Sequence, residues 1–310
     1  MSTQNTIEIQ DDFVKLLEEG NTIPFISRYR KEVTGELDEE KIRTISERVV
    51  YLRNFVERQE DILAKIAEQG KLTDELKQAI EQTTKLQELE DIYLPYKQKK
   101  RTRAMIARGK GLEPLANVIL LQQTQKGEPL EIAKEYIDEE KEVKSAEEAL
   151  AGAMDILAEN FSEDAALRDA VRKYLWSFGA LSTTLVEGKE TDEVGQVFLM
   201  YKEYSEPVRT LPSHRILAIN RGEKLECLKV KLEADKEKID AIFAKHYLRG
   251  NSIFTDTLKA VFADCAKRLL LPSLERELRA QLTETAEKQA IHIFGTNLKQ
   301  LLLQAPLAGY

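Results

Sequence analysis

A basic segment near residue 100 has the side chains that contact phosphate groups. Residues 92–112 contain no aspartate or glutamate but seven lysines and arginines, in a chain whose formal net charge is −8 at pH 7. Cationic side chains neutralise phosphates and release counterions, and the rings of Tyr93 and Tyr96 at one end of the segment are of the kind on which unpaired bases stack. The segment therefore predicts phosphate contacts without readout of base sequence. The predicted contact residues are Lys97, Lys99, Lys100, Arg101, Arg103, Arg108 and Lys110.

The same segment has a second possible role inside the protein. The chain contains 54 aspartates and glutamates, so a solvated basic loop can pair with acidic helices of its own or of a neighbouring domain. The sequence alone leaves both interpretations open.

Another group of cations follows an apolar triplet near the start of the chain. Helical geometry places Phe25, Ile26 and Tyr29 on the core side of a short helix, which leaves the arginines free to reach a neighbouring helix. We expect this group to brace helices or domains rather than to bind nucleic acid. The predicted brace residues are Arg28, Tyr29, Arg30 and Lys31.

Catalytic and metal-binding patterns are weak in this sequence. Ser213 and His214 are adjacent at the start of a predicted strand, so their side chains point to opposite faces and no third partner is apparent. The glycines near residue 110 lack the frame of a phosphate-binding loop. We expect no enzymatic activity, cofactor, metal or small-molecule substrate. Zinc-site spacing is lacking among His214, His246, His292, Cys227 and Cys265.

Charge and composition restrict the class of protein. A net charge of −8 argues against a polyanion-binding surface that covers the whole molecule. The two cysteines fit a reducing compartment. The first residues lack a signal-peptide pattern, and no apolar run approaches the roughly 18 residues of a membrane span. We expect a cytoplasmic protein.

The residue patterns predict a predominantly α fold. The pair Ser145 and Glu148 has capping-box spacing, and Ser162 is the predicted cap of a second helix. Two helices joined by a tight turn at 145–176 are compatible with a helix-turn-helix-like element, although many helical bundles place consecutive helices in the same way. Alternating residues predict one small β-hairpin from about Arg215 to Leu232. A long helix is predicted after Pro272. The expected fold is a multi-helix bundle with the helix-turn-helix-like element, the hairpin and this long C-terminal spine helix.

Four regions follow from these elements. The predicted boundaries are an N-terminal helical region at 1–140, a helix-turn-helix-like region at 141–210, the β-hairpin at 211–235 and a helical region at 236–310.

Several long motifs resemble one known family. IPFISRYRKEVTGELDE at 23–39 and LEDIYLPYKQKKRTRAMIARGKGLEPLA at 89–116 are similar to segments of the bacterial Tex family, transcription accessory proteins that bind RNA. Three further segments match in the same order, at 149–168, 211–223 and 269–306. The resemblance covers essentially the whole chain.

The resemblance implies a protein that is a scaffold first. Tex proteins continue into a YqgF domain related to RNase H-like nucleases, helix-hairpin-helix segments and an OB-fold RNA-binding module, to which their main nucleic-acid contacts are attributed. This chain resembles the N-terminal portion, as a fragment or truncated reading frame. We therefore expect a non-enzymatic transcription accessory fragment with weak binding of RNA or other nucleic acid. The alternative is a protein-interaction scaffold that docks to the transcription machinery without touching nucleic acid.

Overall fold

The computed structural model describes residues 14–98 and 101–304. Over these residues the chain is mainly α-helical, with one small antiparallel sheet, which confirms the predicted fold class. Two compact units, Met1–Lys97 and Gln98–Tyr310, divide the chain. The four predicted region boundaries are not tested by this division and stay predictions.

The first unit is helical throughout its defined elements. Its longest helix begins after Asp38, whose carboxylate accepts a hydrogen bond from the Lys41 backbone nitrogen at 2.8 Å. Acidic residues in the first turn complement the helix dipole at this end. The core is formed by fully buried side chains such as Ile62, Ile80 and Leu89. The helices are α1 Ile23–Tyr29, α2 Lys31–Thr34, α3 Glu39–Glu68, α4 Asp74–Gln82 and α5 Leu86–Tyr93.

The predicted core face of α1 is wrong in part. Ile26 is fully buried as expected, but Phe25 is 38% exposed and Tyr29 is 68% exposed. The two rings pack on each other with centroids 5.3 Å apart. The helix has only seven residues and carries two apolar stripes; the one through Ile26 packs in a small core with Ile42, so the other faces solvent.

The second unit is built around one central helix. This helix, α9, spans Ala146–Glu163 and packs against α6, α7, α8 and α14. Its side chains Ala149, Ala153 and Ile156 are fully buried. The helices are α6 Arg103–Gly109, α7 Glu113–Leu121, α8 Pro129–Ala133, α9, α10 Ala165–Phe178, α11 Glu193–Gln196, α12 Ser213–Lys224, α13 Lys236–Tyr247, α14 Thr255–Cys265 and α15 Leu271–Leu302.

The predicted pair of helices at 145–176 is present as α9 and α10. The cap of the second helix is Asp164 rather than Ser162: the Asp164 carboxylate accepts hydrogen bonds from the backbone nitrogens of Ala166 at 2.8 Å and Leu167 at 3.0 Å. Ser162 is buried and donates to the Glu159 carbonyl at 2.8 Å. The first helix thus runs two residues further than predicted, because Ser162 satisfies its hydroxyl within that helix.

Asp164 also connects α10 to a more distant helix. Its second carboxylate oxygen accepts a hydrogen bond from the Tyr247 hydroxyl at the end of α13. Burial, reinforced by this hydrogen bond, raises the pKa of Tyr247, so the phenol remains a donor. One side chain therefore caps a helix and holds a second helix to it.

We expect Asp164→Ala to lower the free energy of unfolding by about 1 kcal/mol, because the loss of an N-cap typically costs that much. Asp164→Asn keeps a capping oxygen and should cost less. Urea unfolding followed by the fluorescence of Trp176, which lies on α10, measures both. Equal stability of Asp164→Ala and the unchanged protein would contradict this assignment.

The β-structure is a three-stranded antiparallel sheet rather than the predicted hairpin. The strands β1 Ala180–Leu185, β2 Glu203–Pro207 and β3 Leu228–Glu233 lie in the order β2-β1-β3. The last strand was predicted, but its partner is β1, with Ser182 opposite Lys231. The first half of the predicted hairpin is helix α12.

Gly222 explains the wrong hairpin prediction. Next to Asn220 and Arg221 it has the composition of a turn, but it lies inside α12, where Ile216 and Ile219 are buried at helical spacing. A Cβ at Gly222 would lie 2.5 Å from the Leu228 Cδ1 atom. The glycine is there for close packing of a helix on a strand, and not for a turn.

The predicted long C-terminal helix is confirmed. Helix α15 has 32 residues, a length of roughly 48 Å at 1.5 Å per residue. A π-helical turn, Ala266–Leu270, joins it to α14 without a break. The first half of the helix packs on the core through the buried side chains of Leu274, Leu278 and Leu282.

The same helix contacts the sheet edge. The Glu275 carboxylate accepts a hydrogen bond from the Leu232 backbone nitrogen at 3.1 Å, on the side of β3 that faces away from β1. None of the helices in the described ranges has both the length and the apolarity of a membrane span.

Candidate nucleic-acid interface

The structure exposes only part of the basic segment. Arg101 and Arg103 are exposed on either side of Thr102, whose hydroxyl caps α6 by accepting from the Met105 backbone nitrogen at 3.1 Å. Lys97 is also exposed and belongs to the first unit. The predicted contacts Lys99 and Lys100 lie outside the described residues. Among the cations of the segment that the structure describes, the exposed ones are therefore Lys97, Arg101 and Arg103.

The other two predicted contacts have partners within the protein. Arg108 Nη1 lies 2.7 Å from Glu159 Oε2, and the Glu159 side chain is only 8% exposed. Arg108 Nη2 donates to Asn160 Oδ1 at 2.7 Å, and Lys110 Nζ donates to the Glu142 carbonyl at 2.8 Å. Arg108 and Lys110 thus attach α6 to α9 and to the loop before it. Their predicted phosphate contacts stay untested.

The surface beside α6 carries both signs of charge. A surface cavity of about 580 Å³ is lined by Arg101 and Lys110 together with Glu140, Lys141 and Glu142. The two glutamates would repel a phosphate inside it. A polyanion is therefore better accommodated at the start of α6 than in this cavity.

Two cations that the sequence did not single out, Lys267 and Arg268, act on the same carboxylate as Arg103, that of Asp264. Arg268, in the π-helical turn, bonds Asp155 of α9 at 3.2 Å and Asp264 at 2.6 Å. The hydrogen bond from Arg268 lowers the pKa of Asp264, and the charges of Arg103 and Lys267 act in the same direction. Lys267 itself is exposed. In the sequence, Lys267 and Arg268 are two adjacent cations in a helical stretch, and this pattern does not predict that they act on the same carboxylate as Arg103.

The cations of α10, the second helix of the helix-turn-helix-like pair, form ion pairs with carboxylates of the protein itself. Arg168 and Arg172 of α10 both contact the Glu277 carboxylate of α15, with Arg168 Nη2 3.5 Å from Glu277 Oε2. Lys173 pairs with Asp169 at 2.7 Å. The charge distribution of α10 therefore gives no support for insertion into a DNA groove, and a helix-turn-helix function stays a prediction.

The predicted brace residues are exposed. Arg28, Tyr29 and Lys31 are exposed, and Arg30 forms a surface ion pair with Glu32 at 3.8 Å. Such pairs contribute little to stability. The brace role stays a prediction.

Candidate catalytic and metal-binding groups were also located. The hydroxyl of Ser213 bonds Gln289 rather than His214. Both cysteines are buried, and burial raises the pKa of the Cys265 thiol to about 12. Within the described residues no group of three or more His, Cys, Asp or Glu side chains could hold a metal ion. The expectation of a non-enzyme stays a prediction.

The fold and site define a helical scaffold with a small sheet and a locally basic segment. By comparison with known proteins, the chain belongs to the Tex family: the family model described as Tex central region-like matches residues 124–294, and that of the Tex-like protein N-terminal domain matches residues 4–67. The basic segment lies between the two matched regions. The predicted family is confirmed.

Curated relatives are similar over nearly the whole chain. Protein tex of Bordetella pertussis is 46% identical in an alignment 308 positions long, which covers 94% of this chain and 38% of that protein. Protein YhgF of Escherichia coli is 45% identical, over 96% of this chain and 39% of its own length. The human S1 RNA-binding domain-containing protein 1 is 32% identical, over 96% and 31%. The chain thus spans about two fifths of the bacterial relatives it matches.

Proposed function

We propose that this chain is a cytoplasmic, non-enzymatic scaffold of a transcription accessory protein that contacts RNA or another nucleic acid through phosphates. The contacts are the exposed Lys97, Arg101 and Arg103, together with Lys99 and Lys100. The observation that carries the proposal is the exposure of both arginines at the start of α6 in a segment without a carboxylate. The names of two relatives, "Transcriptional accessory protein Tex" and "S1 RNA-binding domain-containing protein 1", support the class of partner.

A salt series tests the proposal. Labelled single-stranded RNA and duplex DNA are titrated into the chain, and the logarithm of the RNA affinity should fall with the logarithm of salt at a slope of roughly −3, because each of four or five phosphate contacts contributes about −0.7. Arg101→Glu with Arg103→Glu should weaken binding and make the slope shallower by about 1.4. A triple variant, Lys99→Glu, Lys100→Glu and Arg101→Glu, extends the test to the rest of the segment.

The matched control changes net charge by the same amount elsewhere. Lys126 and Lys229 are exposed in the same unit, and Lys126→Glu with Lys229→Glu should leave the salt slope unchanged. A flat salt response, or equal losses in the two double variants, would exclude the basic segment as the contact.

The alternative function is a protein-interaction scaffold, and one observation favours it. The second half of α15 exposes apolar side chains, among them Ile291 at 71%, Phe294 at 69% and Leu302 at 75%. A run of exposed apolar side chains on one helix is typical of a surface for another protein. This function predicts no RNA binding at physiological salt but retention of a protein partner.

A further inference from the structure

A groove between α10 and α13 is not used by the proposed nucleic-acid contacts. Its volume is about 560 Å³. One wall is aromatic and the other combines apolar side chains with lysines. The lining residues are Tyr174, Phe178, Asp235, Lys238, Ala241, Ile242 and Lys245.

The aromatic wall is unusually open to solvent. Phe178 is 73% exposed, and its ring stacks on that of Tyr174 with centroids 5.5 Å apart and an angle of 30° between the planes. The two residues are one helical turn apart on α10, so their rings form a continuous apolar face. Exposed aromatic side chains of this kind are typical anchors of protein interfaces.

The opposite wall is a single stripe of α13. Lys238, Ile242 and Lys245 follow helical spacing, with the apolar residue between the two lysines. Seven residues separate the lysines, which corresponds to roughly 10.5 Å along the helix. In the described part of the chain, neither lysine has a carboxylate within 4.0 Å.

An acidic side chain that lines the groove has a partner of its own. The Asp235 carboxylate caps α13 by accepting from the Glu237 backbone nitrogen at 2.9 Å. In the described part of the chain, the groove thus presents two lysines without an ion pair beside an apolar slot.

We propose that this groove binds a helical peptide segment of a partner protein with an apolar side chain between two carboxylates seven positions apart. Such a segment matches the spacing of Lys238 and Lys245, and its apolar residue contacts Phe178. A nucleic acid fits less well, because most of the lining is apolar and it offers only two lysines to a phosphate chain. The observations favour an amphipathic acidic helix in a groove.

A designed peptide provides the probe. It is a labelled helical peptide of about four turns, with two glutamates seven positions apart and a leucine and a phenylalanine between them. Fluorescence anisotropy measures its binding to the 310-residue chain.

Two variants of the groove should each weaken binding of this peptide by about tenfold or more, which corresponds to about 1.4 kcal/mol. They are the double variant Lys238→Glu with Lys245→Glu, and the single variant Phe178→Ala. Lys126→Glu with Lys229→Glu should leave it within about twofold.

A charge swap separates recognition from misfolding. A peptide with lysines in place of the two glutamates should not bind the unchanged chain but should bind the Lys238→Glu, Lys245→Glu variant. Arg101→Glu with Arg103→Glu should leave peptide binding unchanged, so a failure of the nucleic-acid proposal is distinguishable from a failure here.

Four outcomes would overturn the proposal. They are the absence of binding at millimolar peptide, equal binding by all variants, loss of oligouridylate binding rather than peptide binding in the groove variants, and a dimer in sedimentation that these variants dissociate. The third would assign the groove to RNA and the fourth to a second copy of the chain.

Discussion

Glu277→Ala should lower the free energy of unfolding by about 3 kcal/mol, because removal of one partner from a buried ion pair leaves a desolvated charge. Glu277 lies between two arginines of α10, and the side chains of Arg168 and Arg172 are only 6% and 13% exposed. Arg168 also donates to the Ser162 carbonyl at 3.2 Å. Because this hydrogen bond remains in the variant, the loss of unfolding free energy should lie at the lower end of the range for buried ion pairs, about 3 to 5 kcal/mol. Urea unfolding followed by the fluorescence of Trp176 measures the change.

The control is an exposed pair on the same helix. Glu284 and Lys288 lie 2.7 Å apart with side chains 66% and 74% exposed, so Glu284→Ala should change stability by less than about 0.5 kcal/mol. Replacing Arg168 and Arg172 with methionine and Glu277 with leucine should recover most of the loss, since apolar side chains of similar size replace buried ion pairs at little cost. Equal effects of Glu277→Ala and Glu284→Ala would contradict the internal role of this cluster.

Gly222→Ala should destabilise the protein by about 2 kcal/mol, although the same change in an exposed helix stabilises by about 1 kcal/mol. The added Cβ would lie 2.5 Å from Leu228 Cδ1 and 2.9 Å from Phe198 Cδ1. Leu228 is 3% exposed and Phe198 is 3% exposed, so neither side chain has room to move away. The steric cost therefore exceeds the gain in helix propensity. Urea unfolding gives the sign.

Gly295→Ala is the control for Gly222→Ala, because it makes the same change at a helical glycine with no neighbouring atoms. Gly295 lies in α15 with no atom within 4 Å of its added Cβ, so the change should stabilise by about 0.5 to 1 kcal/mol. Opposite signs at the two glycines are expected. A stabilising Gly222→Ala would show that the contact between α12 and β3 is looser than described.

Local sequence patterns predicted the helices better than the sheet. Asp38 and Ser145 are side-chain caps in the structure, as their spacing predicted, because a cap depends on residues only two or three positions away. The sheet pairs β1 with a strand almost fifty residues later. A pairing between strands so far apart in the sequence is not visible in a local residue pattern. The pattern therefore predicted that β3 pairs across the nearest turn-like residues, Asn220 to Glu223.

The candidate site was predictable in composition but not in exposure. The absence of carboxylates from residues 92–112 is visible in the sequence. The carboxylate that binds Arg108 belongs to Glu159, fifty-one residues away, and only the packing of α6 on α9 brings them together. The sequence therefore shows which residues are cationic, and the fold decides which of them remain available to a ligand.

The contact between Glu275 and β3 has a consequence for solubility. β3 is an edge strand with alternating apolar residues, and such edges pair with strands of other molecules. Glu275 of α15 already occupies the outward backbone nitrogen of Leu232, so an incoming strand must displace a carboxylate to extend its pairing past that residue. Lys229 and Lys231 add exposed positive charge along the same strand. We therefore expect the long helix to hinder the pairing of another strand with the β3 edge.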